Sequence, residues 1–327
     1  MKFAARIFFA LALLLAAGPQ RGDARMPERR PPFTGREYVR VEDWARANQL
    51  QIRWLGDKTL ELSNRLARLT MTVNSADAQI NGVAVRLSFP VALRNGGIAV
   101  SQLDLDKTFG PVIHPPANKP GFKINTICLD AGHGGSDMGE HVGGVEEKKY
   151  TLLLAKELQD QLTRAGFKVV MTRTADTRLE LSDRTEIARR RKADLFVALH
   201  FNSWPGNRSE VRGGETYCLT PAGAASSNAQ GEGDTHWLKA NGNDEKNMQL
   251  AYQLQKSLVR GLSAEDRGVK RARFQVLREA AMPAVLIEGG FLSHPAEQKR
   301  ILDPAYRRQM ARAIVDGILA YKRTVKG

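Results

Sequence analysis

Read for the spacing of its apolar positions, the chain falls into three textures. An apolar run from Ile7 to Ala17 follows Lys2 and Arg6 and precedes small residues ending in Gly22-Asp23-Ala24. That layout predicts a secretory signal peptide over 1–24, because the run is shorter than the about 20 residues a membrane span needs. Residues 25–37 ("RMPERRPPFTGRE") carry proline and arginine without apolar periodicity and read as an extended linker. Over 38–112 the pattern becomes short and mainly β. "VEDWARANQL" predicts a short helix, and Leu69, Met71 and Val73 alternate with Thr70 and Thr72 at the period of a half-buried strand. Asn81-Gly82 and Asn95-Gly96 sit between alternating runs and supply the positive φ angles of type I′ hairpins. A proline-rich segment, 113–122 ("IHPPANKPGF"), closes this region as a second linker.

From 123 to 327 strands alternate with amphipathic helices, which predicts an α/β domain with an open, mostly parallel sheet flanked by helices. The expected strands are "NTICLD", "KVVMTR", "DLFVALH", "GGETYCL", "FQVLR" and "AVLIEGG". Helices are expected over 147–165, 182–192, 247–262 and 296–322, the first with Leu154, Leu158 and Leu162 in one stripe. No solenoid repeat, Walker-type phosphate loop or GxGxxG motif occurs.

Composition narrows the partner. The 327 residues carry 49 Lys+Arg against 35 Asp+Glu, a formal net charge of +14, which favours an anionic partner. Export makes nucleic acid the wrong one, and no downstream segment predicts stable membrane insertion. An acidic polymer such as a bacterial wall becomes the expected partner of an exported protein of the periplasm, cell envelope or extracellular space. Cys128 and Cys218 both lie in runs that read as buried strands, so packed thiols are expected rather than a disulfide framework.

Ligands of an open α/β sheet gather at the carboxyl ends of its strands. "TICLDAGH" delivers Asp130 and His133 there, "LFVALHFN" delivers His200 and Asn202, and "PAVLIEGG" delivers Glu288. Glu147 opens the helix after the first loop and can swing back over the same edge. Two histidines and a carboxylate are a common catalytic zinc set, and a further glutamate nearby can serve as base and acid. Alternatives stand beside this reading. Glu146 competes with Glu147 as the ligand, Asp130 is either a cap or turn residue or the partner that orients His133, and His141, His236 and His294 fall in loops. The run Arg189 to Lys192 reads as the solvated end of a helix.

Residues 124–322 resemble the catalytic domain of zinc-dependent N-acetylmuramoyl-L-alanine amidases of the cell-wall-hydrolase type. The resemblance rests on "ICLDAGHGGSDMG", "EEKKYTLLLAKEL", "TRTADTRLELSDRTEIA", "ADLFVALHFNS", "GGETYCL" and "MPAVLIEGGFLSHP", in that order. It implies a Zn2+ cofactor held by His133, Glu147 and His200, with Glu288 as the catalytic residue. The implied reaction cleaves the amide between N-acetylmuramic acid and L-alanine of the stem peptide. The chain departs from the family pattern at Ala198 (usually serine), Arg189 (usually asparagine) and His294, none of them an implied ligand. Family division enzymes often carry a helical plug over the site; here Thr220–Asn247 lacks an apolar stripe and reads as a flexible loop. Residues 38–112 resemble the N-terminal-like domain of copper amine oxidases through "YVRVEDWARANQLQIRW", "INGVAVRL" and "RNGGIAVSQLDL". That implies a binding or spacer role and no copper chemistry, since no histidine precedes His114. Two other functions stay open: a zinc peptidase acting on stem peptides, and a non-catalytic wall-binding protein. An activator protein is a further partner that the sequence does not identify.

Overall fold

The alternation in "RLTMT" becomes the strand Arg68–Thr72, which buries Leu69 and Met71 and turns its other residues outward. Asn81 and Gly82 take φ angles of 51° and 78°, the paired left-handed conformation of a type I′ turn, and join Asp77–Ile80 to Val83–Arg86. The short helix lies at Val41–Ala47. These observations come from a computed structural model that describes residues 37–94, 96–227 and 235–326. The signal peptide, nearly all of the first linker, Asn95 and residues 228–234 within the expected 220–247 loop lie outside the described residues.

Among the described residues one mixed sheet of 11 strands organises the protein. From one edge it runs Lys168–Met171, Thr126–Ala131, Leu195–Asn202, Ala284–Phe291, Gly214–Leu219 and Asp266–Ala272. It continues through Val83–Arg86, Asp77–Ile80, Arg68–Thr72 and Thr59–Ser63 to Gln51–Trp54. The first four strands are mutually parallel. Gly214–Leu219 then runs antiparallel to Ala284–Phe291, and the strands from Val83–Arg86 outward form an antiparallel meander. Strands buried on both faces need no alternation. Ile127, Leu129, Val197, Leu199, Val285 and Ile287 face the long helices Glu147–Arg164, Asp244–Leu262 and Pro304–Thr324. Cys128, Phe196, Ala198, Ala284 and Leu286 face the other way, with Ala188 of the helix Leu181–Arg190. Cys128 and Cys218 are both buried and free.

The sequence divides 38–112 from 123–327, whereas the structure carries one sheet through both. Val269 pairs in parallel with Val85 across the junction, and the described residues fall in one compact unit. The proline-rich segment between them is pinned, because the Asn118 amide donates to Val325 O (2.9 Å) and Lys246 Nζ donates to Asn118 Oδ1 (2.7 Å).

Three expected elements need correction. "FQVLR" forms a short helix, Gln275–Arg278, and the strand lies just upstream at Asp266–Ala272. The expected helix over 296–322 is two helices, Pro295–Leu302 and Pro304–Thr324. Asp303 caps the second through Ala305 N, with Pro304 at its first position. The helix expected from 247 begins at Asp244.

Candidate metal centre

The site grows from the end of the strand Thr126–Ala131, where the backbone turns sharply. His133 itself sits at φ 60°, an uncommon region for a residue with a Cβ, and three cations, two of them buried, hold the turn in place. Arg173 donates to Ala131 O and Gly132 O, Arg184 donates to Ala131 O and His133 O, and Lys148 donates to Gly135 O. Arg184 is also paired at 2.8 Å with Asp130 inside the protein. The chain then forms a two-residue hairpin, His141–Val142 with Val145–Glu146, which delivers Glu147 as the first residue of its helix.

Glu147 is 3% exposed and is surrounded by donors. Its Oε2 lies 3.1 Å from His133 Nε2 and accepts from Glu140 N (3.0 Å). Its Oε1 lies 3.0 Å from His200 Nδ1 and accepts from Phe201 N (3.0 Å). The two imidazoles meet edge to face with centroids 4.9 Å apart. Burial alone would raise the Glu147 carboxyl, but its contacts with His133 and His200 outweigh that and hold it well below the usual range. His133 shows the reverse balance: burial disfavours its cation, yet Glu147 and Asp137 push it up to about 9.

One donor atom from each of His133, Glu147 and His200 lies within 4.8 Å of the others. Two imidazoles and a carboxylate suit zinc, and the surroundings fit a metal. Both carboxylate oxygens of Asp137 lie 2.9 Å from His133 Nδ1, which leaves Nε2 to face the centre, the usual outer support of a ligating imidazole. Glycines keep the space clear: a Cβ at Gly132 would come 2.3 Å from the His200 ring, and one at Gly139 would come 2.6 Å from Glu147 Oε2.

Glu288 sits opposite His200 in the parallel register. Its Oε2 is buried without a hydrogen-bond partner. Burial, then the nearby carboxylates Glu147, Glu215 and Glu140, raise its carboxyl well above the ordinary value. It is therefore a group that can take up and hold a proton.

Of the open alternatives, the structure places Glu147 rather than Glu146 in the cluster; Glu146 is partly exposed and pairs with Lys148 at 3.5 Å. Asp130 binds Thr172 and Arg184 and not His133, whose partner is Asp137. Sequence reasoning missed Asp137, although its place four residues after His133 was the available signal. His141 and His236 are exposed. His294 is buried and caps the helix Pro295–Leu302 by accepting from Glu297 N. His294 and Glu297 also form the chain's one close His-x-x-Glu spacing, the kind zinc peptidases use. Glu297 spends both oxygens on Gly213 N and Phe291 N, so the pair is structural. Arg189 and Arg190 pair with Glu186 on an exposed helix end. The described part of 220–247 contains a short 3-10 turn, Lys239–Asn243, that runs into the helix Asp244–Leu262. Glu215, a buried carboxylate directly opposite Glu288, was quoted in the sequence pattern without a role.

An open α/β sheet with an imidazole-carboxylate donor set at its strand ends, beside a buried carboxyl without a hydrogen-bond partner, is an arrangement that can serve hydrolysis. Similarity to known proteins narrows this to a family. The family model described as N-acetylmuramoyl-L-alanine amidase matches residues 127–320, and the chain belongs to that family. The N-acetylmuramoyl-L-alanine amidase LytC of Bacillus subtilis is 33% identical over 198 residues, 61% of this chain and 36% of LytC. AmiC of Neisseria meningitidis is 34% identical over 221 residues, 61% of this chain and 53% of AmiC. AmiA of Escherichia coli is 30% identical over 248 residues, 68% of this chain and 84% of AmiA. The chain thus spans well under two thirds of LytC and AmiC. Among solved structures, an N-acetylmuramoyl-L-alanine amidase from Clostridium difficile 630 superposes with a TM-score of 0.52 at 33% identity, covering 61% of this chain and 97% of that one.

Proposed function

We propose that the protein is an exported, zinc-dependent peptidoglycan hydrolase that cleaves the amide between N-acetylmuramic acid and L-alanine of the stem peptide. The observation that carries this reading is the cluster of His133, Glu147 and His200 beside the unpartnered carboxyl of Glu288. His133, Glu147 and His200 would hold the metal. When bound, zinc supplies Lewis acidity toward the scissile carbonyl and acidifies water. Glu288 accepts the proton of the attacking water at its carboxylate and returns it to the departing amine nitrogen. Asp137 fixes the His133 ring through Nδ1, and Arg173, Arg184 and Lys148 hold the turn that carries it. Residues 38–112 take a binding or spacer role, in keeping with their resemblance to the copper amine oxidase N-terminal-like domain. The signal-peptide pattern over 1–24 supports export, and among the described residues no helix is long and apolar enough to cross a membrane.

Glu288→Gln tests the chemistry. Glutamine keeps size and hydrogen bonding but cannot carry a proton at neutral pH, so turnover on purified wall should fall by about 10²-fold or more while zinc content and melting temperature persist. A glutamine variant that melts earlier yet keeps most of its turnover per folded molecule would give Glu288 a structural role instead. Chromatography of the digest separates the readings by product: whole peptides and free glycan for the amidase, shortened peptides for a peptidase, no release for a wall-binding protein.

A further inference from the structure

Next to Glu288 the sheet face carries a group of charges that the chemistry above does not use. Glu215 lies opposite Glu288 with its side chain only 2% exposed. Its Oε1 accepts from Asn202 Nδ2 (2.6 Å) and Tyr217 OH (3.1 Å). Its Oε2 accepts from Arg267 Nε (3.1 Å) and from Lys270 Nζ. One carboxylate therefore faces two cations, neither of which gives it all of its N–H donors. Arg267 and Lys270 remain 27% and 22% exposed. Together with Tyr217 they line a pocket of about 410 Å³. After the bonds to Glu215, the arginine keeps four N–H donors and the lysine two.

The same pocket holds Asp77, Glu265 and Asp266, but each is already engaged. Arg86 pairs with Asp77 at 2.6 Å and Arg212 with Glu265 at 3.0 Å. Asp266 accepts from Ala84 N, Gln255 Nε2 and Gly268 N.

Register gives the distance to the reacting bond. Tyr217 pairs with Lys270 and stands two residues beyond Glu215, which is about 7 Å along a strand, and neighbouring strands lie about 4.8 Å apart. An extended peptide advances about 3.3 Å per residue. The charged groups of Lys270 and Arg267 reach back to the Glu215 carboxylate, one strand spacing from Glu288, so a peptide leaving the reaction centre along this face meets them by about its second or third residue.

We propose that Lys270 and Arg267, held by Glu215, form a subsite for a carboxylate of the stem peptide, two to three residues from the scissile amide. The proposal rests on the amidase reading and adds to it a preference for substrates whose stem carboxylates are free rather than amidated.

The test compares two muramyl peptides that differ only in carrying a free carboxylate or a carboxamide on the second residue, and a second pair that differs likewise on the third. The readout is the ratio of kcat/KM, carboxylate over carboxamide, which is independent of the fraction of enzyme that is folded. In the wild type this ratio should be about tenfold for at least one pair, the scale of a hydrogen bond between charged groups. Lys270→Gln should bring it close to one, Arg267→Gln should lower it, and Lys270→Arg should retain it. Calorimetry with the free stem peptides, which lack the scissile bond, reads the subsite without turnover and should show the same preference. A wild-type ratio near one for both pairs, or a ratio unmoved by Lys270→Gln, overturns the subsite. Carboxylate-selective peptide binding that depends on Lys270, in a protein that cleaves neither muramyl substrate, supports the subsite and overturns the amidase reading.

Discussion

Gly132→Ala offers a clean geometric test of the centre. Gly132 follows directly on the strand Thr126–Ala131, and its missing side chain is what lets the His200 ring stand where it does. A Cβ there would lie 2.3 Å from Cε1, 2.5 Å from Nε2 and 2.7 Å from Nδ1 of His200. Carbon atoms in contact settle at about 3.5–4.0 Å, so the ring would have to retreat by about 1 Å or more. It cannot do so and keep its place, because Glu147 Oε1 holds Nδ1 at 3.0 Å and the His133 ring stands against it. A zinc–nitrogen bond is about 2.0–2.1 Å, and a displacement of 1 Å forfeits it; a misplacement of that size costs about 10²-fold in rate. The backbone at Gly132 is not left-handed, so alanine adds no strain of its own and the fold should persist. Elemental analysis, turnover on purified wall and thermal melting of the metal-free protein on one preparation are the assay. Gly242→Ala, at a position with open space around the new Cβ, is the control. Full zinc content with turnover within threefold of wild type in Gly132→Ala would refute the packing argument, and with it the placement of His200 as a ligand.

Three further outcomes are expected of the same structure. His133→Ala, His200→Ala and Glu147→Ala should each lose zinc and activity together, because two protein ligands remain where a catalytic site uses three; Glu146→Ala should keep both, and the opposite result would move the ligand role to Glu146. Burial lifts the Asp244 carboxyl from 3.8 to about 6, against the pull of Asn241 and nearby cations. Between those values only the folded state holds the proton, so this group's contribution to stability is full below pH 3.8 and is lost as pH rises to 6, by roughly 3 kcal/mol. The stability of Asp244→Asn relative to wild type should therefore rise by that amount between pH 4 and pH 7 in denaturant titrations, and a constant difference would contradict it. A chain beginning near Gly121 would leave the strand Asp266–Ala272 without its Val85 partner and Arg271 without Thr108 and the Lys107 carbonyl. It should melt earlier and self-associate through the open edge; a monomer with the full-length melting temperature and normal cleavage of small muramyl-peptides would make 38–112 an independent module.

The centre was legible in the sequence because its residues stand at strand ends, where apolar runs stop abruptly at histidine or glutamate. Periodicity alone could place His133, His200 and Glu288. Glu147 over Glu146 was a different matter: both head the same helix, and the resemblance to the amidases favoured Glu147. The structure brings that residue to the histidines through the His141–Glu146 hairpin, whose two-residue strands leave no periodic signal. The cations Arg173 and Arg184 were illegible for a related reason. They act on backbone carbonyls of the 131–133 turn, and a carbonyl acceptor leaves no mark in a sequence.

The strand Asp266–Ala272 shows why a functional surface defeats pattern reading. "DRGVKRA" has three cations, one acid and a glycine in seven positions, and no rule of alternation would make it a buried strand. Each polar residue nevertheless has a specific partner. Asp266 accepts three N–H groups from Ala84, Gln255 and Gly268, Arg267 and Lys270 hold Glu215, and Arg271 reaches the Leu219 and Lys107 carbonyls. Buried charges are tolerated only when paired, so the segment is stable as a strand only in the presence of residues that lie as far away as Ala84 and Lys107. The apolar run "FQVLR" beside it attracts the strand assignment, and its Val276 and Leu277 are buried from a short helix instead. The element that joins 38–112 to the catalytic half and supplies the cations beside Glu288 is thus the one whose local sequence argues most strongly against its own conformation. Such conflicts between local pattern and global structure are expected at working sites.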